Sequence, residues 1–163
     1  MNKILLLCLI SFALSARSVS QTGINLIKQF EGCRLQAYQD SVGVWTIGYG
    51  TTSADKSITG TNIYSGLSIS QATAENWLRK SLNNKYAPLV NKYDSKYKWT
   101  QNEFDALISF AYNIGSIDQL TASGSRSRAT IASKMLEYCH AGGKKLEGLV
   151  RRRQAEHDLF VKH

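Results

Sequence analysis

The chain has 163 residues, of which 43% are apolar, and it carries a formal net charge of +8. A single proline and the lack of long polar tracts exclude extensive disorder. The length allows one compact domain or two small lobes, there is no internal repeat, and the basic charge predicts attraction to anionic polymers.

The first twenty residues have the form of a secretory signal peptide. Lys3 precedes an apolar run at residues 4–14, which is too short to span a bilayer. Small residues that suit cleavage follow: Ser15, Ala16, Ser18 and Ser20. We therefore expect residues 1–20 to be removed and residues 21–163 to form the secreted domain, without a stable membrane anchor.

A short amphipathic helix is predicted to end at Glu31. Ile24, Ile27 and Phe30 fall on one helical face, so the carboxyl of Glu31 should emerge among apolar neighbours. Burial disfavours the charged form of a carboxyl and lets it stay protonated, as a general acid must. Taken alone, a Glu at a helix end is more often a solvated charge.

Asp40 and Thr46 follow at short intervals. Asp40 precedes the polar turn at 41–43, which should keep it solvated and ionised, and Thr46 lies in the alternating segment 44–50, a predicted strand. Two carboxyls in opposite protonation states are typical of glycoside hydrolysis, and the Thr46 hydroxyl could help to hold a water. Taken singly, an Asp before a turn usually caps its own backbone.

The segments after the strand region are mainly helical. A loop at 52–67, rich in Ser, Thr and Gly, leads to a helix that Ser70 can cap. The apolar face of this helix carries Ala74, Trp77, Leu78 and Leu82. Pro88 should limit how far it continues as one regular helix.

The clearest helix begins at the capping box of residues 100–103 and ends at Gly115. Its buried stripe should be Phe104, Leu107, Ile108, Ala111 and Ile114. Two further helices are predicted at 129–138 and 149–160, separated by a glycine break. We therefore predict an α+β fold with a small strand-bearing lobe and a larger helical lobe.

Two cysteines remain once Cys8 leaves with the signal. In an oxidising compartment Cys33 and Cys139 could form a disulfide, but two buried free thiols are an equal alternative, because geometry decides whether they can join. The three histidines are scattered without paired ligand spacing, so we predict no metal site and no cofactor.

Three segments resemble one known family. The first is Glu31, Asp40 and Thr46 with the following Gly-Tyr-Gly-Thr at 48–51, which resembles the catalytic Glu, Asp and Thr of the phage-type lysozymes, glycoside hydrolase family 24. The second, Ala-Tyr-Asn-Ile-Gly at 111–115, resembles the end of that family's central helix beside the cleft. The third, Gly148 to Glu156, is similar to its arginine-rich Gly-Leu-x-x-Arg-Arg-x-x-Glu motif.

The resemblance implies a lysozyme-like fold with a cleft between the lobes. It implies hydrolysis of the β-1,4 bond between N-acetylmuramic acid and N-acetylglucosamine in bacterial peptidoglycan. Glu31 would protonate the glycosidic oxygen, while Asp40 and Thr46 would position or activate a water on the opposite sugar face. Such an inverting mechanism requires carboxyls roughly 6.5 to 9.5 Å apart.

Further site residues follow from the same resemblance. Arg152 should face Glu31 and orient its carboxyl, whereas Arg151 and Arg153 fit a solvated basic run. Asn113 could hydrogen-bond an N-acetyl group and Tyr112 could stack against a sugar. The alternative places Tyr112 in the core and leaves Asn113 as a helix-end residue.

The expected partner is anionic peptidoglycan, and the protein should act as a monomer, outside the cell or in the periplasm if its owner is a phage or a bacterium. No nucleic-acid motif accompanies the basic charge, and export argues against such a partner. Two other functions fit less well. One is a non-catalytic cationic protein that binds walls or membranes, and the other is a hydrolase of chitin-like glycans.

Overall fold

The computed structural model describes residues 16–162. This part of the chain contains a three-stranded antiparallel sheet, a two-stranded hairpin and nine α-helices. The signal peptide predicted for the start of the chain therefore lies largely outside the described residues. The helices are α1 Gln21–Glu31, α2 Lys56–Thr59, α3 Gln71–Ser81, α4 Ala87–Asn91, α5 Asp94–Tyr97, α6 Gln101–Ile114, α7 Asp118–Thr121, α8 Arg128–Met135 and α9 Glu147–Phe160. The predicted α+β class is confirmed.

The sheet of the small lobe lies directly after α1. Its strands are β1 Arg34–Gln39, β2 Trp45–Gly48 and β3 Thr51–Thr52, in that spatial order and all antiparallel. Ile47 of β2 packs with Ile63 and Trp77 in a small apolar cluster on one side of the sheet. The second hairpin, β4 His140–Ala141 and β5 Lys144–Lys145, precedes α9.

Helix α6 is the centre of the large lobe. Thr100 and Glu103 form the capping box at its start, and Gly115 ends it in the left-handed conformation with φ 96°. Every residue from Glu103 to Ala111 is buried, because other helices, α1 and α9 among them, cover α6 on all sides. Each fully buried large apolar side chain in such a helix contributes about 1.5–3 kcal/mol to folding. The predicted helix from the capping box to Gly115 is confirmed, but Ile114, expected in the buried stripe, is 43% exposed because it lies in the last turn.

The connecting helix changes its hydrogen-bonding pattern instead of ending. After α3 the chain forms a π-helical turn at Leu82–Tyr86 and then enters α4, with Pro88 in the first turn of α4. A proline is tolerated there, since a first-turn N–H has no partner within its own helix. Pro88 thus limits the regular helix as the sequence predicted, and the π turn keeps the chain continuous.

Residues 17–20 are part of the folded domain, although the sequence assigned them to the signal segment. Val19 is 4% exposed, and its N–H donates to Oδ1 of Asn83 at 3.0 Å. Ser20 caps α1, and its N–H donates to Oδ1 of Asp105 at 2.9 Å. A Cβ on Gly23 would come within 2.8 Å of Val19, so the helix closely approaches this segment.

We predict that a protein beginning at Gln21 unfolds at a lower temperature than one beginning at Arg17. It loses the burial of Val19, about 1.5–3 kcal/mol, and the Ser20 cap, about 1 kcal/mol. Thermal unfolding followed by circular dichroism measures the difference. Equal midpoints for the two proteins would show that residues 17–20 add nothing to the fold.

Candidate active site

Glu31 is the last residue of α1, where the chain turns into the sheet. Gly32 makes the turn with φ 68°, a backbone conformation that side-chain-bearing residues rarely adopt. Ile24 and Ile27 anchor the helix in the core and so fix where Glu31 emerges. The Glu31 side chain is 24% exposed. It is therefore less enclosed than the apolar recess that the sequence suggested.

Arg152 of α9 holds the Glu31 carboxyl. Its Nη1 donates to Oε1 of Glu31 at 2.5 Å, and the Arg152 side chain is only 5% exposed. The guanidinium also lies 5.7 Å from the centre of the Phe30 ring. Of the three consecutive arginines, Arg152 is thus the one that contacts Glu31, and it occupies one of the two carboxyl oxygens.

The expectation that Arg153 belongs to a solvated run is wrong. Arg151 is exposed, but the Arg153 side chain is 0% exposed. Its Nη2 donates to Oδ1 of Asn113 at 2.9 Å and to Oε1 of Glu156 at 3.2 Å, and its guanidinium lies over the Phe110 ring. These partners offset the cost of burying the charge. The signal in the sequence was the Arg-x-x-Glu spacing, which places 153 and 156 on one helix face.

Asp40 closes the turn between β1 and β2. Its Oδ1 accepts the backbone N–H of Val42 at 2.9 Å and that of Val44 at 2.8 Å. Within residues 16–162 both hydrogen bonds to this carboxylate reach Oδ1, so Oδ2 keeps its lone pairs for water. The turn therefore fixes the carboxylate and leaves one oxygen available.

Thr46 shares a sheet face with Tyr38 and Asp40. Thr46 pairs directly with Tyr38 across β1 and β2, and paired residues of antiparallel strands point to the same face. Asp40 follows Tyr38 by two residues, so the alternation of an extended chain places it on that face too. Thr46 is 5% exposed, and its hydroxyl donates to the carbonyl of Val44 at 3.1 Å.

Glu31 lies between two cavities. One, of about 580 Å³, is lined by Gln29, Phe30, Glu31, Asn113, Leu146, Gly148, Leu149, Arg151 and Arg152. The other, of about 350 Å³, is lined by Glu31, Gly32, Cys33, Arg34, Tyr38, Gly48 and Gly50. A third groove, of about 540 Å³, follows residues 34–38 and shares Arg34 and Tyr38 with the second cavity. The three form a chain of depressions that includes Glu31.

Asn113 and Tyr112 differ in what they can offer a ligand. Asn113 is exposed and lines the larger cavity, and because its Oδ1 accepts from Arg153, its amide nitrogen is left as a donor. The Tyr112 hydroxyl donates to the carbonyl of Tyr49 at 2.5 Å, and its ring packs against Tyr86. Burial raises the pKa of Tyr112, so the phenol stays protonated and keeps donating. These contacts favour the core alternative for Tyr112.

The two cysteines are not joined. Cys33 is exposed beside the smaller cavity, whereas Cys139 is buried with its sulfur 3.5 Å from Nδ1 of His140. Of the two alternatives, the structure favours the free thiols, of which only one is buried. Their surroundings explain this, since Cys33 follows α1 in the small lobe and Cys139 precedes the β4–β5 hairpin of the large lobe.

Comparison with known proteins identifies relatives over most of the chain. Residues 28–156 match the family model described as phage lysozyme. The endolysin of Lactococcus phage c2 is 47% identical over 146 residues, an alignment that covers 88% of this chain and 60% of the relative. The endolysin of Acyrthosiphon pisum secondary endosymbiont phage 1 is 36% identical over 151 residues, covering 87% of this chain and 97% of the relative. The chain thus spans only part of the first relative and nearly all of the second.

Solved structures have the same fold. The endolysin from the Escherichia coli O157:H7 phage FAHEc1 superposes with a TM-score of 0.73 at 35% identity, covering 89% of this chain and 94% of that one. The muramidase domain of SpmX from Asticaccaulis excentricus superposes with a TM-score of 0.71 at 32% identity, covering 90% of this chain and 100% of that one. The lysozyme-like fold expected from the sequence is confirmed.

Replacing Arg152 should cost far more stability than replacing its neighbour. Arg152→Gln leaves the buried Glu156 with one cation fewer, and breaking such a buried pair costs about 3 kcal/mol. Arg151→Gln changes an exposed side chain and should stay within about 0.5 kcal/mol of the parent. Urea unfolding of the two variants measures both free energies. Equal losses would contradict the burial assigned to Arg152.

The two thiols should react at very different rates. In protein without residues 1–15, Ellman's reagent should label one cysteine quickly and the second only after unfolding, because Cys33 is exposed and Cys139 is buried. Cys33→Ser should abolish the fast reaction. A protein that shows no reactive thiol in either state would instead contain the disulfide.

Proposed function

The chain belongs to the phage lysozyme family, and from this membership we propose that it is a muramidase of bacterial peptidoglycan. It hydrolyses the β-1,4 bond between N-acetylmuramic acid and N-acetylglucosamine and thereby lyses the cell wall. The muramidase domain of SpmX, which has the same fold, supports this choice of bond. The proposal treats Glu31, Asp40 and Thr46 as the catalytic residues.

The observation that carries the proposal is the position of Glu31. It is the residue that the two cavities share, and a buried guanidinium fixes its carboxyl from one side. A glycan chain that passes from one cavity to the other would therefore place a glycosidic oxygen beside this carboxyl. The third groove along β1 extends the same path, as an extended polysaccharide requires.

The proposed reaction begins with proton transfer from Glu31. Arg152 occupies Oε1 of Glu31, so the proton is carried by Oε2 and passes to the glycosidic oxygen as the bond to the anomeric carbon breaks. A water attacks the anomeric carbon from the opposite face and gives its proton to Oδ2 of Asp40. Thr46, on the same sheet face, accepts a hydrogen bond from this water. One displacement of this kind inverts the anomeric centre.

Charge supports the wall as the partner. Lys3 is the one charged residue among residues 1–16, so a chain cut before Arg17 keeps a net charge of +7 of the full +8. Long-range attraction then concentrates the protein on anionic wall polymers and weakens as salt rises. The protein works as a monomer and needs no nucleic acid.

The proposal includes export of the protein. The signal peptide is removed before Arg17, because a later cut would detach residues that hydrogen-bond to α6 and to the π-helical turn at Leu82–Tyr86. The processed protein acts outside the cell or in the periplasm. Within residues 16–162, none of the helices has both the length and the apolar character needed to cross a membrane.

Glu31→Gln should abolish wall lysis while the protein stays folded. Loss of a general acid lowers the rate by roughly 10²- to 10⁴-fold. The measurement is mass spectrometry of the fragments that each protein releases from purified peptidoglycan, with proton NMR of the fresh anomeric centre to establish inversion. The matched control is Glu147→Gln, an exposed glutamate of α9 that should retain full activity.

Other results would point to the two alternative functions. Killing of bacteria by Glu31→Gln at the parental level would indicate a non-catalytic cationic protein. Release of chitin oligosaccharides without muropeptides would indicate a different glycan substrate. Normal muropeptide release by Glu31→Gln would refute the assignment of the acid.

A further inference from the structure

The proposed reaction leaves two residues of the arginine-rich motif without a role. Arg153 and Glu156 both lie on α9 with side chains that are 0% exposed. A buried ion pair is often no more stable than apolar side chains of the same volume. Stability alone therefore does not explain why charges fill this position.

Glu156 is the centre of a charged cluster. Its Oε1 accepts from Nε of Arg152 at 3.0 Å, from the Ser109 hydroxyl at 2.7 Å and from Nη2 of Arg153 at 3.2 Å. Its Oε2 lies 2.9 Å from Nε of Arg153, an ion pair without hydrogen-bond alignment. Burial raises the pKa of Glu156 and lowers that of Arg153, so each charged form depends on its partner.

The cluster determines where the Arg152 guanidinium lies. Nε binds Glu156, Nη2 donates to the carbonyl of Ser109 at 3.2 Å, and Nη1 reaches Glu31. Three partners on three elements leave the guanidinium plane little freedom to rotate. Glu31 is thus oriented by a group that Glu156 and α6 hold in place.

The cluster also fixes the amide of Asn113. Arg153 reaches over the Phe110 ring, with its guanidinium carbon 4.8 Å from the ring centre, and donates to Oδ1 of Asn113 at 2.9 Å. This bond turns the amide so that its nitrogen remains as the donor at the larger cavity. One cluster therefore positions both the candidate acid and a candidate substrate contact.

Glu156 also places a negative charge on the side of Arg152 that faces away from Glu31. A guanidinium beside a carboxyl favours the ionised form of that carboxyl, and a second carboxylate nearby weakens the effect. Other titratable or charged groups near Glu31 are Tyr86 and Tyr112, Cys33, Arg34 and Tyr38 at the smaller cavity, and Arg151 at the larger one. Cys139 lies near Arg153.

We propose that Glu156 and Arg153 are positioning residues for the glycan hydrolysis proposed above, on which this inference rests. Glu156 holds Arg152 and offsets its charge, and Arg152 in turn fixes the carboxyl of Glu31 in place. Arg153 holds Glu156 and presents the amide of Asn113 to the glycan.

The test compares Glu156→Gln with the parent protein in two measurements. In carbon NMR of the carboxyl groups, the titration midpoint of Glu31 should move to lower pH, because the offsetting negative charge is gone. On soluble uncrosslinked peptidoglycan strands, kcat should fall by roughly 10- to 100-fold with little change in KM, because the acid is misplaced. The alkaline limb of the rate profile should move to lower pH with the NMR midpoint.

Two further variants separate positioning from folding. Glu156→Asp keeps the negative charge, so its Glu31 midpoint should lie close to that of the parent protein. Arg153→Met removes the hydrogen bond to Asn113, so KM should rise because the amide is released. Should Glu156→Gln fail to fold, an unchanged KM in Arg153→Met overturns the proposal and a raised KM supports it.

The matched control is Glu103→Gln. Like Glu156, Glu103 is buried and pairs with an arginine. It lies on α6, and its carboxylate is 2.7 Å from Nε of Arg128. It lies ten residues from Asn113, roughly 15 Å along the helix. It should lose stability without moving the Glu31 midpoint. Equal behaviour of the two glutamate variants would show that Glu156 is merely structural.

The NMR midpoint does not depend on activity. If the parent protein cleaves no peptidoglycan, the proposed function fails, and an NMR shift still shows whether Glu156 acts on Glu31. If the parent cleaves and Glu156→Gln matches it in midpoint and kcat, only the positioning proposal fails.

Discussion

The ion pair between Glu31 and Arg152 joins residues that are 121 positions apart in the chain. It connects the end of the first helix to the last helix, and α6 lies against both. Both cavities border this contact, since Glu31 lines each of them and Arg152 lines the larger one. The Arg152 guanidinium is buried, whereas the Glu31 carboxyl is partly exposed. The arginine therefore holds the carboxyl from the protein interior while the carboxyl stays accessible to a ligand.

The two sides of the groove are built in different ways. Helices α6 and α9 contribute Asn113 and Arg152, whose orientations are set by buried charges. The sheet contributes Arg34 and Tyr38 to the lining, and it carries Asp40 and Thr46, whose orientations are set by a tight turn and by strand pairing. The hydrogen bond from Tyr112 to the carbonyl of Tyr49 ties α6 to the end of β2 and so keeps the two sides in register.

Local patterns in the sequence predicted the elements that depend on local physics. The capping box at Thr100 and the glycine at 115 predicted α6, and alternation predicted β2, because caps and periodicity act within a few residues. Burial of Arg153 was missed, since a run of three arginines is usually solvated and two of its contacts, Asn113 and Phe110, come from α6 about forty residues away. The burial of Val19 was likewise not predicted, because its hydrogen-bond partner Asn83 lies 64 positions away in the chain.

The exposed thiol of Cys33 lies two residues beyond Glu31, at the rim of the smaller cavity. The other cysteine of the described residues is buried. A fluorophore or spin label attached to Cys33 would therefore report from a single, known place. Its signal would change when a saccharide enters the groove or when the lobes move apart. No residue of α6 or α9 would have to be substituted to attach it.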